Sequence, residues 1–235
     1  MTYKKWISAT TLVALAVMFI AGMPAFADQG EDVAKKLANP VAALISVPID
    51  FDTYSDIGPA DQGERWTLVA KPVVPLTLNS NWNLISRTIV PYIDQQDIVP
   101  GAGSQSGLGD FQESLFLSPA QPKNGFIWGA GPIFLFPTAT DDLLGSEKWG
   151  VGPTGVVLKQ EGPWTYGMLA NHVWSFAGDS DRSDISSTFL QPFLAFNTKT
   201  ATTLTLQTET TYNWENEEWS VPINVILSQI VKVGP

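Results

Sequence analysis

The chain has 235 residues, 13 basic against 23 acidic, for a formal charge of −10; it is 44% hydrophobic, with one histidine and no cysteine. An acidic surface argues against nucleic acid as a partner, the lack of cysteine excludes a disulfide scaffold, and one histidine without cysteine argues against a zinc site. Charged residues are only 15% of the chain, where roughly 25% is usual for a soluble domain.

The first element is a leader. Met1 to Trp6 carries Lys4 and Lys5, Ile7 to Met23 is apolar, and Pro24-Ala25-Phe26-Ala27 has a small-x-small pattern. That order predicts a secretory signal peptide over residues 1–27, cleaved before Asp28. The apolar run is short for a membrane helix, which takes about 20 residues, and no later run approaches that length. Taking Lys4 and Lys5 from the 13 basic residues leaves 11 against 23 acidic ones. Residues 28–42 read as a polar periplasmic lead-in, with some helical character over Glu31 to Ala38.

From residue 43 the chain reads as strands. Ile45, Val47, Ile49 and Phe51 alternate with Ser46, Pro48, Asp50 and Asp52. The same period of two recurs where Leu204, Leu206 and Tyr212 oppose Thr205, Gln207, Glu209 and Thr211. It returns where Val221, Ile223, Val225 and Leu227 alternate with Pro222, Asn224, Ile226 and Ser228. Such strands have unlike environments on their two faces. Ten are predicted: 43–53, 65–75, 82–92, 108–117, 126–138, 149–160, 164–177, 185–197, 201–214 and 219–233. Their lengths suit tilted strands crossing a bilayer, whereas soluble strands cluster near about five or six residues. The connections 54–64, 93–107, 139–148 and 178–184 are long or charged, and 215–218 is short but wholly polar. Those at 76–81, 118–125, 161–163 and 198–200 are compact. Long loops alternating with short turns predict an all-β, antiparallel, up-and-down transmembrane β-barrel.

Aromatic placement agrees. Trp66, Trp82, Trp149, Trp164 and Trp219 open predicted strands, Trp128 lies near the start of one, and Trp174 and Trp214 lie near the ends of theirs. Tyr54, Tyr92, Tyr166 and Tyr212 hold similar positions. Indoles and phenols settle where hydrocarbon meets water and mark the two rims of a membrane barrel; the competing reading is an ordinary soluble core. Pro48, Pro72, Pro91, Pro132, Pro153, Pro192 and Pro222 fall inside predicted strands. Each calls for a bulge or a strand end.

Several segments resemble a known family. Asn39-Pro40-Val41-Ala42-Ala43-Leu44, Ser106-Gly107-Leu108-Gly109-Asp110, Pro137-Thr138-Ala139-Thr140-Asp141, Trp149-Gly150-Val151-Gly152-Pro153, Gly162-Pro163-Trp164-Thr165-Tyr166, Phe189-Leu190-Gln191-Pro192 and Trp219-Ser220-Val221-Pro222 carry the likeness. They are similar to uncharacterised bacterial outer-membrane proteins named for their association with the meta-pathway of phenol degradation. The resemblance implies a β-barrel, often labelled a transporter, and supplies no catalytic residues. Family members run on past a position like Val233-Gly234-Pro235 into another pair of strands. The chain therefore reads either as a ten-stranded barrel or as ten strands of a roughly twelve-stranded one that lacks its last hairpin. The second is favoured, because an open barrel would expose two strand edges to lipid.

Little in the chain points to catalysis, and no enzyme activity or cofactor is expected. His172 shares a face with Tyr166, Met168, Ala170, Trp174 and Phe176, which places it at a lipid interface with no triad spacing around it. Gly101-Ala102-Gly103 and Gly129-Ala130-Gly131 lack the lysine and helix of a phosphate loop. Asp179-Ser180-Asp181-Arg182-Ser183-Asp184 lacks the glycine and distal glutamate of a calcium loop, and an external acidic loop is the plainer reading. The candidate lumen-lining residues are Asp50, Lys71, Arg87, Asp110, Glu113, Glu209 and Asn224, since a charge facing mid-bilayer lipid is costly, at about 2–4 kcal/mol for a basic residue. Arg87 and Glu113 are ambiguous, because each shares a face with apolar neighbours. Ile45, Val47, Ile49, Leu204, Leu206, Val221, Ile223 and Val225 are expected to face outward, and Asp50, Gln207, Glu209, Asn224 and Ser228 inward.

The reading is an outer-membrane channel or transporter of a Gram-negative-type bacterium, admitting a small apolar or aromatic molecule. Its expected partners are outer-membrane lipid, lipopolysaccharide and an unidentified solute. One alternative is a structural barrel with a plugged lumen; another is a soluble secreted β-sandwich that binds glycan.

Overall fold

A computed structural model describes residues 29–57 and 62–230. The predicted signal peptide and residues 231–235, the tail of the last predicted strand, lie outside these. A helix α1 (Gln29–Leu37) precedes fourteen strands. They are β1 (Ile49–Ile57), β2 (Gly63–Ala70), β3 (Val73–Thr77), β4 (Trp82–Gln96), β5 (Ser104–Leu108), β6 (Phe111–Pro119) and β7 (Phe126–Phe136), then β8 (Lys148–Glu161), β9 (Trp164–Gly178), β10 (Ser186–Asn197), β11 (Thr202–Thr208), β12 (Thr210–Asn213), β13 (Glu218–Ser220) and β14 (Ile223–Gln229).

All fourteen form one antiparallel sheet, in the order β1-β2-β4-β6-β7-β8-β9-β10-β11-β14, with β3 and β5 on β4, β12 on β10 and β13 on β12. Four pairs are thus halves of one stave: β2 with β3, β5 with β6, β11 with β12, and β13 with β14. Ten staves result, running up and down as the spacing of loops and turns predicts. Short connections gather at one end of the sheet and long ones at the other, called below the turn end and the loop end.

Three of the seven prolines fall at strand ends, one of the two expected solutions, and a facing pair is accommodated without a bulge. Pro72 and Pro222 fall in breaks between half-staves, and Pro48 precedes β1. Pro132 faces Pro153 across β7 and β8 with the register unbroken on both sides. Each proline costs only a missing rung toward its outer neighbour, between Ser114 and Leu117 of β6 and between Val151 and Thr154 of β8. A proline has no N–H to donate, so back-to-back placement leaves two local gaps without shifting the ladder. Gly131 and Gly152 precede these prolines, and a Cβ on either would overlap the carbonyl oxygen of Leu115 or His172. The neighbouring backbone lies that close only because glycine has no side chain.

The sheet curls. Lys71 Nζ lies 3.8 Å from Glu209 Oε1, although one belongs to the second stave and the other to the ninth. Val73, Ile85, Phe116, Val156, Leu158, Leu169 and Phe193 meet in one apolar cluster drawn from β3, β4, β6, β8, β9 and β10. Fully burying each large side chain of that kind contributes roughly 1.5–3 kcal/mol. Ile133, Leu135 and Val173 form a smaller cluster, with Ile185 packed on it. The curl is not closed: β1 and β14 are the two edges of the path and do not pair with each other.

The lead-in is not a free tail. Its Ala34, Val41 and Ala42 are buried, and Val41 joins the large cluster. Gln160 donates to the Lys35 carbonyl at 2.7 Å, which holds α1 at the turn end. Lys35 and Lys36 sit in the last helical turn, where cations suit the helix dipole. Asn39-Pro40 then stops the helix, and Asn39 Oδ1 accepts the Val41 N–H at 3.0 Å to close the bend. Ser46 then pairs with Val73, bringing the chain into line with β1.

Candidate functional site

The two faces of the sheet carry opposite chemistry. Ile45, Val47, Leu204, Leu206, Val221, Ile223 and Val225 are exposed on the outer face, Ile223 at 67%, while Asn224 is buried at 2% exposure on the inner one. The expected facing therefore holds for these residues; Ile49 is only partly exposed.

Above the apolar cluster, toward the loop end, the inner face becomes charged. Lys71 Nζ contacts Asp50 Oδ2 and lies 3.8 Å from Glu209. Gln191 donates to Glu209 and to Gln207, both at 3.2 Å, and Gln207 donates to Glu209 at 3.3 Å. Arg87 points into the same space, near enough to feel the charges of Glu209 and Asp50. Asp52 adds a third carboxylate, near enough to feel the charges of Lys71, Asp50 and Glu209. Asp52 Oδ1 and Asn224 Oδ1 are buried without a hydrogen-bond partner. The breaks at Lys71-Pro72 and at Glu209 are where these side chains reach inward, across the sheet's curl.

Nearer the loop end a second polar layer is built on Gln95. Its Oε1 accepts from Arg65 Nε at 3.1 Å and Nη2 at 2.7 Å, and its Nε2 donates to Gln105 at 3.1 Å and to the Leu143 carbonyl at 3.2 Å. The loop between β7 and β8 folds inward to meet it, with Leu144 buried. Asp110 secures that loop by accepting from Ser146 N and Oγ, both at 2.6 Å, and from Ala139 N at 3.2 Å. A Cβ on Gly145 would stand 2.7 Å from Asp110 Oδ1, so the loop's approach depends on that glycine. Arg182 closes the outside of the loop through the Asp142 and Gly145 carbonyls and Glu147.

Of the residues named from sequence, Asp50, Lys71, Arg87, Glu209 and Asn224 share the inner face. One needs correction. Glu113 lies on the outer face: it pairs in register with Thr88, while Ser114, one residue on, pairs with the inward Arg87. Its carboxylate accepts from Ser86 Oγ and Thr88 Oγ1, both at 2.6 Å. Asp110 stays among the candidates, its carboxylate taken up by the loop that folds inward. The sequence reading missed Asp52, Gln191, Arg65 and Gln95, whereas Gln207 lies inward as expected. Asp52 was available to it, two residues from Asp50 on the same face; Gln191 and Gln95, being uncharged, gave no signal.

His172 faces outward, its ring 4.0 Å from that of Trp174. Nδ1 lies 2.7 Å from Thr188 Oγ1, which also accepts from Trp214 Nε1 at 2.9 Å. In the acidic loop, Asp179 Oδ1 accepts the Asp181 N–H at 2.7 Å. Asp184 bonds Lys148 at 3.0 Å and Ser175 at 3.2 Å. The Lys148 ammonium holds the Asp184 carboxyl below the usual carboxylate range. Among the described residues no three possible metal ligands come together.

No family model, no curated protein and no solved structure matches the chain. The motif resemblance and the geometry therefore carry the functional argument.

Proposed function

We propose that the chain is an outer-membrane β-barrel that passes a small apolar or aromatic molecule. The observation that carries this reading is the inverted sheet, with aliphatic side chains outside and ion pairs inside. Between Trp128, Trp164 and Tyr166 at the turn end and Trp149, Trp174, Trp214 and Trp219 at the loop end, all exposed, the outer face has the form of a lipid band between two aromatic belts. A soluble protein rarely leaves so large an apolar surface in water. Closure into a barrel is part of the proposal, since the free edges β1 and β14 would be expensive in lipid. The family resemblance points the same way.

A second reading, a barrel that transports nothing, is favoured by Val41 standing in the middle of the apolar cluster. Fractionation and electrophysiology separate these readings. The protein should co-purify with outer membranes and migrate on gels in a heat-modifiable way; recovery from the periplasm without detergent would refute the membrane reading. Conductance or solute uptake in vesicles then divides transporter from plugged barrel.

Glu113 gives a sharper test. If the outer face meets lipid, Glu113→Leu should raise stability in vesicles by about 1 kcal/mol, because an acid there costs somewhat less than the roughly 2–4 kcal/mol of a base. On a surface facing water the change should stay within about 0.5 kcal/mol. Unfolding by urea in lipid vesicles reads the difference, and an unchanged midpoint would count against a lipid-facing wall.

A further inference from the structure

We propose that the apolar cluster at the turn end opens into a binding site for a small uncharged apolar or aromatic molecule when Val41 leaves it, Val41 being a competitor carried by the chain itself. This deepens the transport reading and rests on it for what the site is used for. The walls belong to the sheet: Ile85, Phe116, Val156, Leu158, Leu169 and Phe193 project from five hydrogen-bonded strands. The occupant does not belong to it. Residues 38–45 lie in no strand, and the helix before them has nine residues, too few to be stable without packing.

The wall also makes room for the occupant. At Gly129 an added Cβ would stand 3.1 Å from Phe116 Cβ and 3.4 Å from Val41 Cγ1, so any side chain there would press on both. The side chains of the cluster are aliphatic or aromatic, a lining that suits neither ions nor strongly hydrated solutes. Apolar cavities with such linings stay dry and take up benzene-sized molecules. The charged layer above it, around Lys71 and Glu209, separates this cluster from the loop end.

The chain has no cysteine, so a pair introduced by Val41→Cys and Gly129→Cys is a clean lock. The Gly129 Cβ position is near enough to the Val41 side chain for a disulfide, which needs Cβ atoms about 3.5–4.5 Å apart. Fluorobenzene binding would be followed by fluorine NMR in detergent, on the pair variant oxidised and reduced and on a variant lacking residues 29–42. Oxidised protein should bind no probe and reduced protein should bind it. The deletion variant should bind at least about ten-fold more tightly than the full chain, since removing a competitor restores the fraction of open sites. If the deletion variant fails to fold, Val41→Ser in the full chain replaces it, with tighter binding than the parent expected.

Equal binding by oxidised and reduced protein would overturn the proposal. So would a heat-modifiable deletion variant that binds no probe. Vesicle uptake reports separately on transport: binding without uptake keeps the site and removes the transport reading, whereas uptake without binding removes the site.

Discussion

Replacing Lys71 by alanine should lower the stability of the protein by about 3 kcal/mol, the low end of the roughly 3–5 kcal/mol expected when one partner of a buried pair is removed. The low end applies because Lys71, Asp50 and Glu209 keep side-chain exposures of 18%, 14% and 28%, and water screens part of the charge. The lysine is the hub of the inner layer, touching a carboxylate on β1 and another between β11 and β12. Without it three carboxylates would share the space with Arg87 alone. The loss should be visible as an earlier urea midpoint and a lower temperature for the shift in gel migration. Lys71→Met combined with Asp50→Leu and Glu209→Gln should recover most of it, because removing the group together avoids stranding a charge. A triple variant as weak as the single one would show that Lys71 acts through packing instead.

Gly152→Ala should be at least as damaging, at about 3 kcal/mol or more. The added methyl would overlap the His172 carbonyl oxygen, and that oxygen belongs to strand backbone on β9, which cannot turn away as a side chain can. Overpacking a core commonly costs about 1–3 kcal/mol where side chains can adjust; here the ladder between β8 and β9 must part. Gly155→Ala, three residues on, is the control. A Cβ there has only the Gly129 carbonyl oxygen, at 3.8 Å, within contact range, so it should change stability little. Similar unfolding midpoints for the two variants would mean that strand propensity, not close approach, sets the requirement at Gly152.

The division into ten staves and the facing of the edge strands were legible because alternation is clean there. Leu204 to Gln207 and Val221 to Asn224 contain one apolar and one polar series each. Arg87 and Glu113 were not separable, and the reason is physical. Both have apolar neighbours two residues away, but the interior is itself apolar at the turn end. Ile85 therefore marks the inside, while Leu115 marks the outside. An aliphatic neighbour says which face a residue shares, and only pairing with an assigned strand says which face that is. The partners of Asp110 were not legible for another reason: Ala139 and Ser146 lie about thirty residues on in a loop whose inward fold no local pattern announces. Gln95 and Gln191 were invisible because an amide becomes informative only when a buried partner is known. Val41 was quoted as part of a family motif, yet nothing in its spacing said that it would leave the strand pattern and enter the interior.

Val41 and the helix before it also have a kinetic consequence. Nearly every rung of the sheet joins segments close in sequence, so staves can assemble in turn, each closing a short loop on the one before. The N-terminal segment is different. Gln160 lies 125 residues from the Lys35 carbonyl that it binds, and Leu169 and Phe193 of the cluster come later still. This segment is therefore expected to be the last to find its place. A stopped-flow refolding experiment should show two phases: an early one from the indoles of the staves, and a slow one that disappears when residues 29–42 are removed.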